Sequence, residues 1–448
     1  MHMIQTIAES INTVLWDYLL LFLLVGTGLY FTIRLRFIQI RKFGEGMRRV
    51  FGGLRKKDGT ASKGELSSFQ ALTTAIAAQV GTGNIAGAAT AIASGGPGAI
   101  FWMWVSAFLG MATIYAEAVL AQKHRQIASD GTVTGGPIYY IRAAFTGKFG
   151  KVLAGFFAIS ITIALGFAGN MVQSNSIGTS FENAFGIPPV YTGIFVTIVA
   201  AFVFIGGIKR LASITEKLVP FMAIFYVLGC LIILGINYAN IIPAFRTIFV
   251  AAFQPQAITG AIIGVTVREA MRYGVARGLF SNEAGMGSTP HAHALAKVKQ
   301  PHDQGVVAMT GVFIDTFVVL TMTALVIIST GMWNSGLTGS HLAQTAFNSA
   351  FGSFGNIFIA ICMLFFAFST ILSWFYFGKV NANYLFGKKF TIVYTIIALV
   401  FIFVGSLLKV ELVWELNDLF NGIMVLPNLV AIIALSGSVV KLSKNSDK

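Results

Sequence analysis

The stretch Val80-Gly81-Thr82-Gly83-Asn84 interrupts an apolar segment that runs from about residue 69 to residue 93. Glycine lowers helix stability by about 1 kcal/mol relative to alanine, and backbone groups left unpaired at bilayer depth are costly. Such a break survives where the loosened backbone lines a cavity. In secondary transporters it commonly holds substrate and coupling ions near the midplane. This stretch therefore predicts a buried binding site within a helix.

The composition places the chain in a membrane. Of its 448 residues, 56% are hydrophobic and 11% are charged, and the mean hydropathy is +0.77. These values exclude a soluble domain and predict an all-α polytopic membrane protein in the lipid bilayer. The net charge of +14 does not indicate a nucleic-acid partner, because the basic residues fall in alternate loops.

Apolar runs near the ~20 residues that a bilayer requires predict eleven transmembrane helices. They cover residues 15–33, 68–93, 99–121, 152–181, 190–207, 217–237, 258–289, 306–331, 356–378, 391–408 and 414–437. The basic loop 34–65, which includes Arg55, Lys56, Lys57 and Lys63, is predicted to be cytoplasmic. The N-terminus is then extracellular and the C-terminus cytoplasmic, at the plasma membrane. The stretch 238–257 is predicted to be interfacial or re-entrant.

A second interruption is predicted within the span 258–289, at Gly278-Leu279-Phe280-Ser281-Asn282-Glu283-Ala284-Gly285-Met286-Gly287-Ser288. If the opening helix 15–33 is set aside, the segments 68–237 and 258–437 each hold five spans and each begin with a glycine-broken helix. The second segment starts on the opposite side of the membrane. This pattern predicts a 5+5 inverted repeat with the site where the two breaks meet. The alternative is that these glycines only permit close helix packing.

Four motifs, spread in order along the chain, resemble those of the alanine/glycine:cation symporter family, also called sodium:alanine symporters. They are residues 80–84, Gly95-Gly96-Pro97-Gly98 with Phe101-Trp102-Met103-Trp104, residues 278–288, and Phe368-Ser369-Thr370-Ile371-Leu372-Ser373-Trp374. The resemblance implies the core fold of the bacterial leucine transporter and the amino acid–polyamine–cation superfamily, with one extra N-terminal helix. It also implies sodium-coupled uptake of alanine and glycine by a single transporter domain, with no cofactor.

The first break is expected to bind the substrate carboxylate. Free N–H groups at the start of a helix carry the positive end of its dipole, which assigns the carboxylate to Thr82 and Gly83, with Gly81 allowing close approach. Asn84 is expected to be a polar ligand nearby, or else a plain interhelical hydrogen-bonding residue. The family resemblance implies sodium contacts from the carbonyls of Ala77 and Val80.

A second group of predicted ligands lies near residue 370. The hydroxyls of Ser369 and Thr370 share a helix turn, and the carbonyl of Phe366 lies one turn back, so the three oxygens can converge on sodium. The alternative is that both hydroxyls bond carbonyls of their own helix. Trp374 lies on the same face and is expected to shrink the pocket to alanine size, unless it only packs.

The second break supplies Phe280, Ser281, Asn282 and Gly285 as further predicted substrate contacts, with Phe280 as a thin gate. Unwound carbonyls there can accept from an ammonium group. Glu283 at bilayer depth is functional by default. It can pair with the ammonium, ligate an ion or carry a proton, and these roles stay open. The last role gives the alternative function, a proton-coupled amino acid carrier.

Other polar residues in apolar runs are expected to contribute. Gln173 is expected to contact the substrate amino group, or else to act as interhelical glue. Glu117 and Asp315 are expected to pair with basic residues and form a gate. His291 and His293, in the predicted cytoplasmic loop 290–305, have no cysteine near them that would suggest a metal centre, and an enzyme is not expected.

Overall fold

The computed structural model describes residues 2–53, 65–129, 131–255 and 265–446. These residues are almost entirely helical, with one short antiparallel pairing of strand β1 (Gln126–Ile127) with strand β2 (Val133–Thr134). Residues 258–264 of one predicted span, and Arg55, Lys56, Lys57 and Lys63 of the predicted cytoplasmic loop, lie outside the described residues.

The helices are numbered here in chain order. They are α1 (His2–Val14, Leu15–Leu20 and Leu21–Arg34 in continuous succession), α2 (Ile38–Arg41), α3 (Phe43–Gly53), α4 (Ser68–Gln79), α5 (Gly83–Gly87 and Ala88–Gly95), α6 (Ala99–Lys123), α7 (Pro137–Ala144), α8 (Gly147–Phe185), α9 (Pro189–Ile205), α10 (Gly207–Ile236), α11 (Tyr238–Phe253), α12 (Val267–Asn282), α13 (Pro290–His293), α14 (Pro301–Ser329), α15 (Gly339–Phe351), α16 (Phe354–Phe386), α17 (Lys388–Leu407), α18 (Val410–Ala434) and α19 (Ser436–Asn445). A 3₁₀ turn, Met332–Asn334, precedes α15.

Eight helices within the described ranges are long and apolar enough to cross a membrane. They are α1, α6, α8, α10, α14, α16, α17 and α18. Large apolar side chains face outward on the periphery, and Ile205 of α9 and Ile242 of α11 are about 80% exposed. Such an apolar exterior suits contact with lipid rather than water. The prediction of a helical, multi-pass membrane protein is confirmed.

Three helices that surround the centre of the bundle contain π-helical turns. The turns are Gly83–Gly87 in α5, Ala164–Gly169 in α8 and Phe313–Leu320 in α14. A π turn adds a residue to the helix and re-aims the side chains that follow, and such turns are frequent at functional sites. All three turns lie beside the two helix breaks described below.

The second break differs from its prediction. Helix α12 continues through Gly278 to Asn282 and is interrupted only from Glu283 onward. Gly274 serves close packing on α6, since a Cβ atom there would lie 2.5 Å from the carbonyl oxygen of Ala99, whereas a Cβ atom on Gly278 would make only ordinary contacts, the nearest at 3.6 Å. The chain then re-forms only the single turn of α13.

The segment that follows the second break is buried rather than exposed. His291 is 0% and His293 is 1% exposed, and the chain returns to the surface at Lys297. The predicted cytoplasmic loop at 290–305 therefore begins later than expected. The imidazole of His291 donates from Nδ1 to the carbonyl oxygen of Ser288 and accepts at Nε2 from the amide of Asn381, which explains how this polar segment is accommodated inside the protein.

Candidate functional site

The first break interrupts the helix between Gln79 and Gly83, so backbone N–H groups there lose their helical partners. Two amide side chains satisfy them. The N–H of Gly81 donates to Oδ1 of Asn84 at 3.1 Å, and the N–H of Thr82 donates to Oε1 of Gln173, on α8, at 3.2 Å. Because all of these residues are buried, the break is a polar pocket wall inside an apolar bundle.

The predicted sodium ligands converge beside this break. The Thr370 hydroxyl lies 2.8 Å from the carbonyl oxygen of Ala77 and 3.0 Å from that of Phe366. The Ser369 hydroxyl lies 3.4 Å and 2.9 Å from the same two oxygens. Each hydroxyl therefore bonds a carbonyl of its own helix and also reaches the carbonyl of Ala77 on α4. Two carbonyl and two hydroxyl oxygens form one buried cluster.

Val80 stands next to this cluster at the end of α4. Its N–H donates to the carbonyl oxygen of Ile76 at 2.7 Å, and its backbone turns out of the helix with ψ near 82°. This turn releases the carbonyl of Val80 from the helical direction.

The second break is organised by Glu117 of α6. Its carboxylate accepts from the N–H groups of Gly285 at 3.0 Å and Gly287 at 2.9 Å, and from Nδ2 of Asn428 at 2.6 Å. Both glycines have positive φ, at 96° and 77°, a conformation that glycine adopts without steric cost. The expected pairing of Glu117 with a basic residue is therefore wrong, because backbone and amide N–H groups occupy its oxygens.

Asp315 joins the two breaks. It lies on the π turn of α14, and its Oδ1 accepts from Nδ2 of Asn84 at 2.7 Å. The hydroxyl of Ser281, in the last turn of α12, lies 3.1 Å from both carboxylate oxygens. The expectation of a basic partner for Asp315 is also wrong, since amide and hydroxyl donors take that place, Thr316 included.

Direct contacts bring the two breaks together. Nε2 of Gln79 donates to the carbonyl oxygen of Asn282 at 2.8 Å. A Cβ atom on Gly83 would lie 3.0 Å from Cα of Ser281 and 3.2 Å from Cδ1 of Phe280. Glycine at position 83 therefore permits the resumed helix to touch the end of α12.

Aromatic side chains close the remaining sides. Phe280 meets Trp374 edge to face, with ring centroids 5.6 Å apart, and lies 4.9 Å from the ring of Trp414. The Trp374 indole Nε1 donates to Oε1 of Glu283 at 2.5 Å. Trp374 therefore has a polar partner as well as an apolar face in the bundle interior.

A sequence profile of the sodium:alanine symporter family matches residues 1–448. The chain belongs to this family. It is similar to the sodium/alanine symporter AgcS of Methanococcus maripaludis, with 44% identity over 98% of this chain and 96% of AgcS. It is also similar to the probable sodium/glutamine symporter GlnT of Bacillus subtilis, with 40% identity over 98% of this chain and 91% of GlnT.

Among solved structures, the fold is similar to that of a Na⁺-coupled sialic acid symporter in a substrate-bound, outward-open state. The TM-score is 0.51 at 13% identity, over 96% of this chain and 85% of the other. Membership of the sodium:alanine symporter family confirms the prediction of a membrane transporter rather than an enzyme.

Most of the predicted site residues of this symporter-family chain lie where the two helix breaks contact each other, a region called the crossing here. The group comprises Ala77, Gly81, Thr82, Gly83, Asn84, Gln173, Phe280, Ser281, Asn282, Phe366, Ser369, Thr370 and Trp374. Gly285 lies elsewhere, because a Cβ atom added to it would meet Leu24, Leu429 and Thr113, and its N–H donates to Glu117.

Two residues of this crossing and one beside it were not predicted as ligands, although Glu117 and Asp315 were expected to form a gate. Gln79 and Asp315 bridge the breaks, and Glu117 shapes the second one. Each is a polar or acidic side chain within an apolar run, which is the signal that marks them.

Four buried side-chain atoms at the crossing have no hydrogen-bond partner among residues 2–53, 65–129, 131–255 and 265–446. They are Oε1 of Gln79, Oγ1 of Thr82, Oδ1 of Asn170 and Nε2 of Gln173. Buried polar atoms are nearly always satisfied in native proteins. Such a concentration of unsatisfied atoms indicates a place for a polar ligand.

Proposed function

We propose that this protein is a sodium-coupled symporter that carries alanine, and glycine with it, into the cell by alternating access. Membership of the sodium:alanine symporter family supports this proposal, as does 44% identity to a sodium/alanine symporter. The observation that carries the proposal is the place where the two helix breaks cross. There, a cluster of hydroxyl and carbonyl oxygens suited to sodium lies next to buried polar atoms that have no hydrogen-bond partner.

We assign sodium to the oxygen cluster beside the first break. The ligands are the carbonyls of Ala77, Val80 and Phe366 and the hydroxyls of Ser369 and Thr370. Hard cations prefer such oxygen ligands. The two hydroxyls already hydrogen-bond the carbonyl oxygens of Ala77 and Phe366, at distances of 2.8–3.4 Å. Sodium would replace the hydroxyl protons as the partner of both carbonyls.

We assign the substrate to the unsatisfied atoms next to the sodium cluster. Gln173 already accepts from Thr82 through its oxygen, so its free group is the Nε2 amide, a donor. That polarity suits the carboxylate better than the amino group that the sequence suggested. Gly81, Thr82 and Gly83 complete the carboxylate cradle, and Asn84 shapes it through Asp315.

The substrate ammonium group requires acceptors, and two further unsatisfied atoms are available for this role. Oε1 of Gln79 and Oδ1 of Asn170 are free acceptors, and Ser281 and Asn282 stand at the end of α12. Phe280 and Trp374 enclose the side chain. Two large aromatic rings in edge-to-face contact at this position favour a substrate with a small side chain such as a methyl group.

We propose that the eleven predicted spans are the eight long helices together with α9 and the two broken helices. In this arrangement 68–237 and 258–437 form a 5+5 inverted repeat, with α1 as the extra helix and α11 at the outer surface. The basic loop before α4 keeps that side cytoplasmic, so the N-terminus is outside. Labelling of single cysteines from either side of oriented vesicles tests this topology.

An outer gate is proposed above the site. Arg277 of α12 donates two hydrogen bonds, at 2.8 and 2.7 Å, to Asp418 of α18, and its guanidinium lies 4.6 Å from the ring of Trp414. Trp414 in turn contacts Phe280. This pair and these two rings would separate when the outer path opens.

Uptake of radiolabelled alanine into proteoliposomes tests the function. Accumulation driven by an inward sodium gradient, and by neither a proton gradient nor potassium alone, is the expected result. Accumulation with a proton gradient in the absence of sodium would instead favour the alternative carrier, with Glu283 as the proton site. No accumulation under any gradient would overturn both.

A further inference from the structure

Glu283 and Trp374 form a buried pair beside the proposed substrate site. Oε1 of Glu283 accepts from the Trp374 indole N–H at 2.5 Å, and Oε2 accepts from the hydroxyl of Ser288. Glu283 is 0% and Trp374 is 1% exposed. The two oxygens of Glu283 thus both have partners on the protein.

The backbone fixes the direction of the Glu283 side chain. Its φ of 57° lies in the left-handed region at the end of α12. A non-glycine residue there is uncommon and is maintained by its surroundings. The residues that follow Glu283 are held in turn by Glu117. The carboxyl group of Glu283 therefore faces the indole from a constrained position.

Gly169 supports the indole from another side. It ends the π turn of α8, one residue before Asn170 and four before Gln173. A Cβ atom on Gly169 would lie 2.4 Å from Cζ3 and 2.6 Å from Cε3 of Trp374. The ring therefore occupies space that only a glycine leaves open.

We infer that Glu283 is a positioning residue that sets the size of the accepted substrate by holding the Trp374 indole, through its Nε1, against Gly169. The inference rests on the proposed function, because it requires Trp374 to border the substrate side chain. A buried indole N–H requires an acceptor, and Oε1 of Glu283 is the acceptor that the Trp374 indole has. Without the Glu283 acceptor, the indole would leave its position against Gly169, and the substrate pocket would widen.

Substrate selectivity measures this role directly. Sodium-driven uptake of glycine, alanine, leucine and glutamine would be compared as kcat/KM in wild-type and Glu283→Ala proteoliposomes. Because a site discriminates between side chains of different size by about 10- to 200-fold, the ratio of leucine to alanine is expected to rise about tenfold or more in the variant. A wild-type ratio in Glu283→Ala would overturn the inference.

Conservative rescue separates positioning from proton coupling. In Glu283→Gln the amide oxygen can still accept from the indole, and the amide N–H₂ can donate to Ser288. Wild-type selectivity and sodium-driven uptake are therefore expected. Loss of sodium-driven uptake in Glu283→Gln, with the protein still folded, would overturn the inference and assign a coupling role to the carboxylate.

Coupling between the two side chains gives a second test. Trp374→Phe keeps an aromatic ring but removes the N–H donor. If Glu283 acts through that donor, Glu283→Ala is expected to change selectivity little further in the Trp374→Phe background. A full additional change in the double variant would mean that Glu283 acts independently, which contradicts the inference.

Gly169→Ala tests the contact between Gly169 and the Trp374 ring, and it is expected to narrow the substrate pocket rather than widen it. The added methyl group would push the indole toward the substrate, so glycine is expected to be favoured over alanine. Gly155→Ala on the same helix is the matched control, because no atom lies within 4 Å of its added Cβ. If wild-type protein itself lacks sodium-driven alanine uptake, the proposed function fails. If wild type transports and these variants do not shift selectivity, only the inference fails.

Discussion

The two helix breaks meet the same physical demand in different ways. The first break is short, resumes as helix at Gly83, and is held by the neutral amides of Asn84 and Gln173. The second is longer, resumes only as one turn, and is held by the carboxylate of Glu117. The backbone N–H groups of the first break are bonded to neutral amide oxygens, whereas those of Gly285 and Gly287 in the second are bonded to Glu117.

This difference separates binding from support. Weak, exchangeable amide contacts can be given up when a substrate carboxylate arrives. Charge-assisted contacts to a buried carboxylate are stronger, and losing one leaves buried donors unpaired. The first break is therefore expected to govern ligand affinity, and the second to govern stability and the position of Glu283.

The largest expected effect is the loss of folded protein in Glu117→Ala. The N–H groups of Gly285 and Gly287 would both lose their acceptor, at about 1–3 kcal/mol each. Size-exclusion chromatography in detergent is expected to show aggregated or absent protein. Glu117→Gln retains one acceptor oxygen and is expected to be intermediate. A stable, monodisperse Glu117→Ala protein would show that the second break does not depend on this carboxylate.

Next in size is the loss of transport in Gly81→Ala with the fold retained. The added Cβ would lie 2.3 Å from Oγ1 of Thr370 and 3.2 Å from Oε1 of Gln173, at the junction of the sodium and carboxylate sites. Sodium-driven alanine uptake is expected to fall to background.

Gly87→Ala is the matched control for this substitution, on the same broken helix. Its added Cβ meets only the carbonyl oxygen of Thr82, at 3.8 Å, which is ordinary contact. Near-normal uptake is expected. Equal uptake by both variants would mean that the ligands do not bind at the first break.

Features that depend on local sequence pattern, such as the long helices and the spacing of ligands within one helix, could be predicted. Hydrogen-bond partners on different helices could not. Long apolar runs predicted the long helices, although α10 begins at Gly207 rather than at residue 217 and α16 ends at Phe386 rather than at residue 378. The spacing of Phe366, Ser369 and Thr370 placed three oxygens together. The prediction placed the start of the second break at Gly278, but the helix continues through this glycine to Asn282. Asp315 and Glu117 were seen as buried acids, but their partners lie far away in the chain. No periodicity within one helix specifies such partners.

A smaller effect is expected in Thr370→Ala, which removes one proposed sodium ligand. The sodium concentration for half-maximal alanine uptake is expected to rise about tenfold, equivalent to about 1.4 kcal/mol. Ser373→Ala is the control one turn along the same helix, since its hydroxyl also reaches α4, at the carbonyl oxygen of Thr74, 2.9 Å away. A matching shift in both variants would attribute the change to helix packing instead of sodium.

The smallest effect on transport is expected for a residue that the sequence assigned to the substrate, and it separates the two breaks most sharply. Gly285 has a φ of 96°, and its added Cβ would lie 3.2 Å from Leu24 and 3.3 Å from Leu429. Gly285→Ala is therefore expected to cost about 1–3 kcal/mol of backbone strain and to lower the melting temperature by a few degrees. The KM for alanine is expected to stay unchanged, since these neighbours lie outside the crossing. A raised KM at an unchanged melting temperature would show that Gly285 belongs to the binding site. The distinction between a break that binds the substrate and a break that supports the fold would then be wrong.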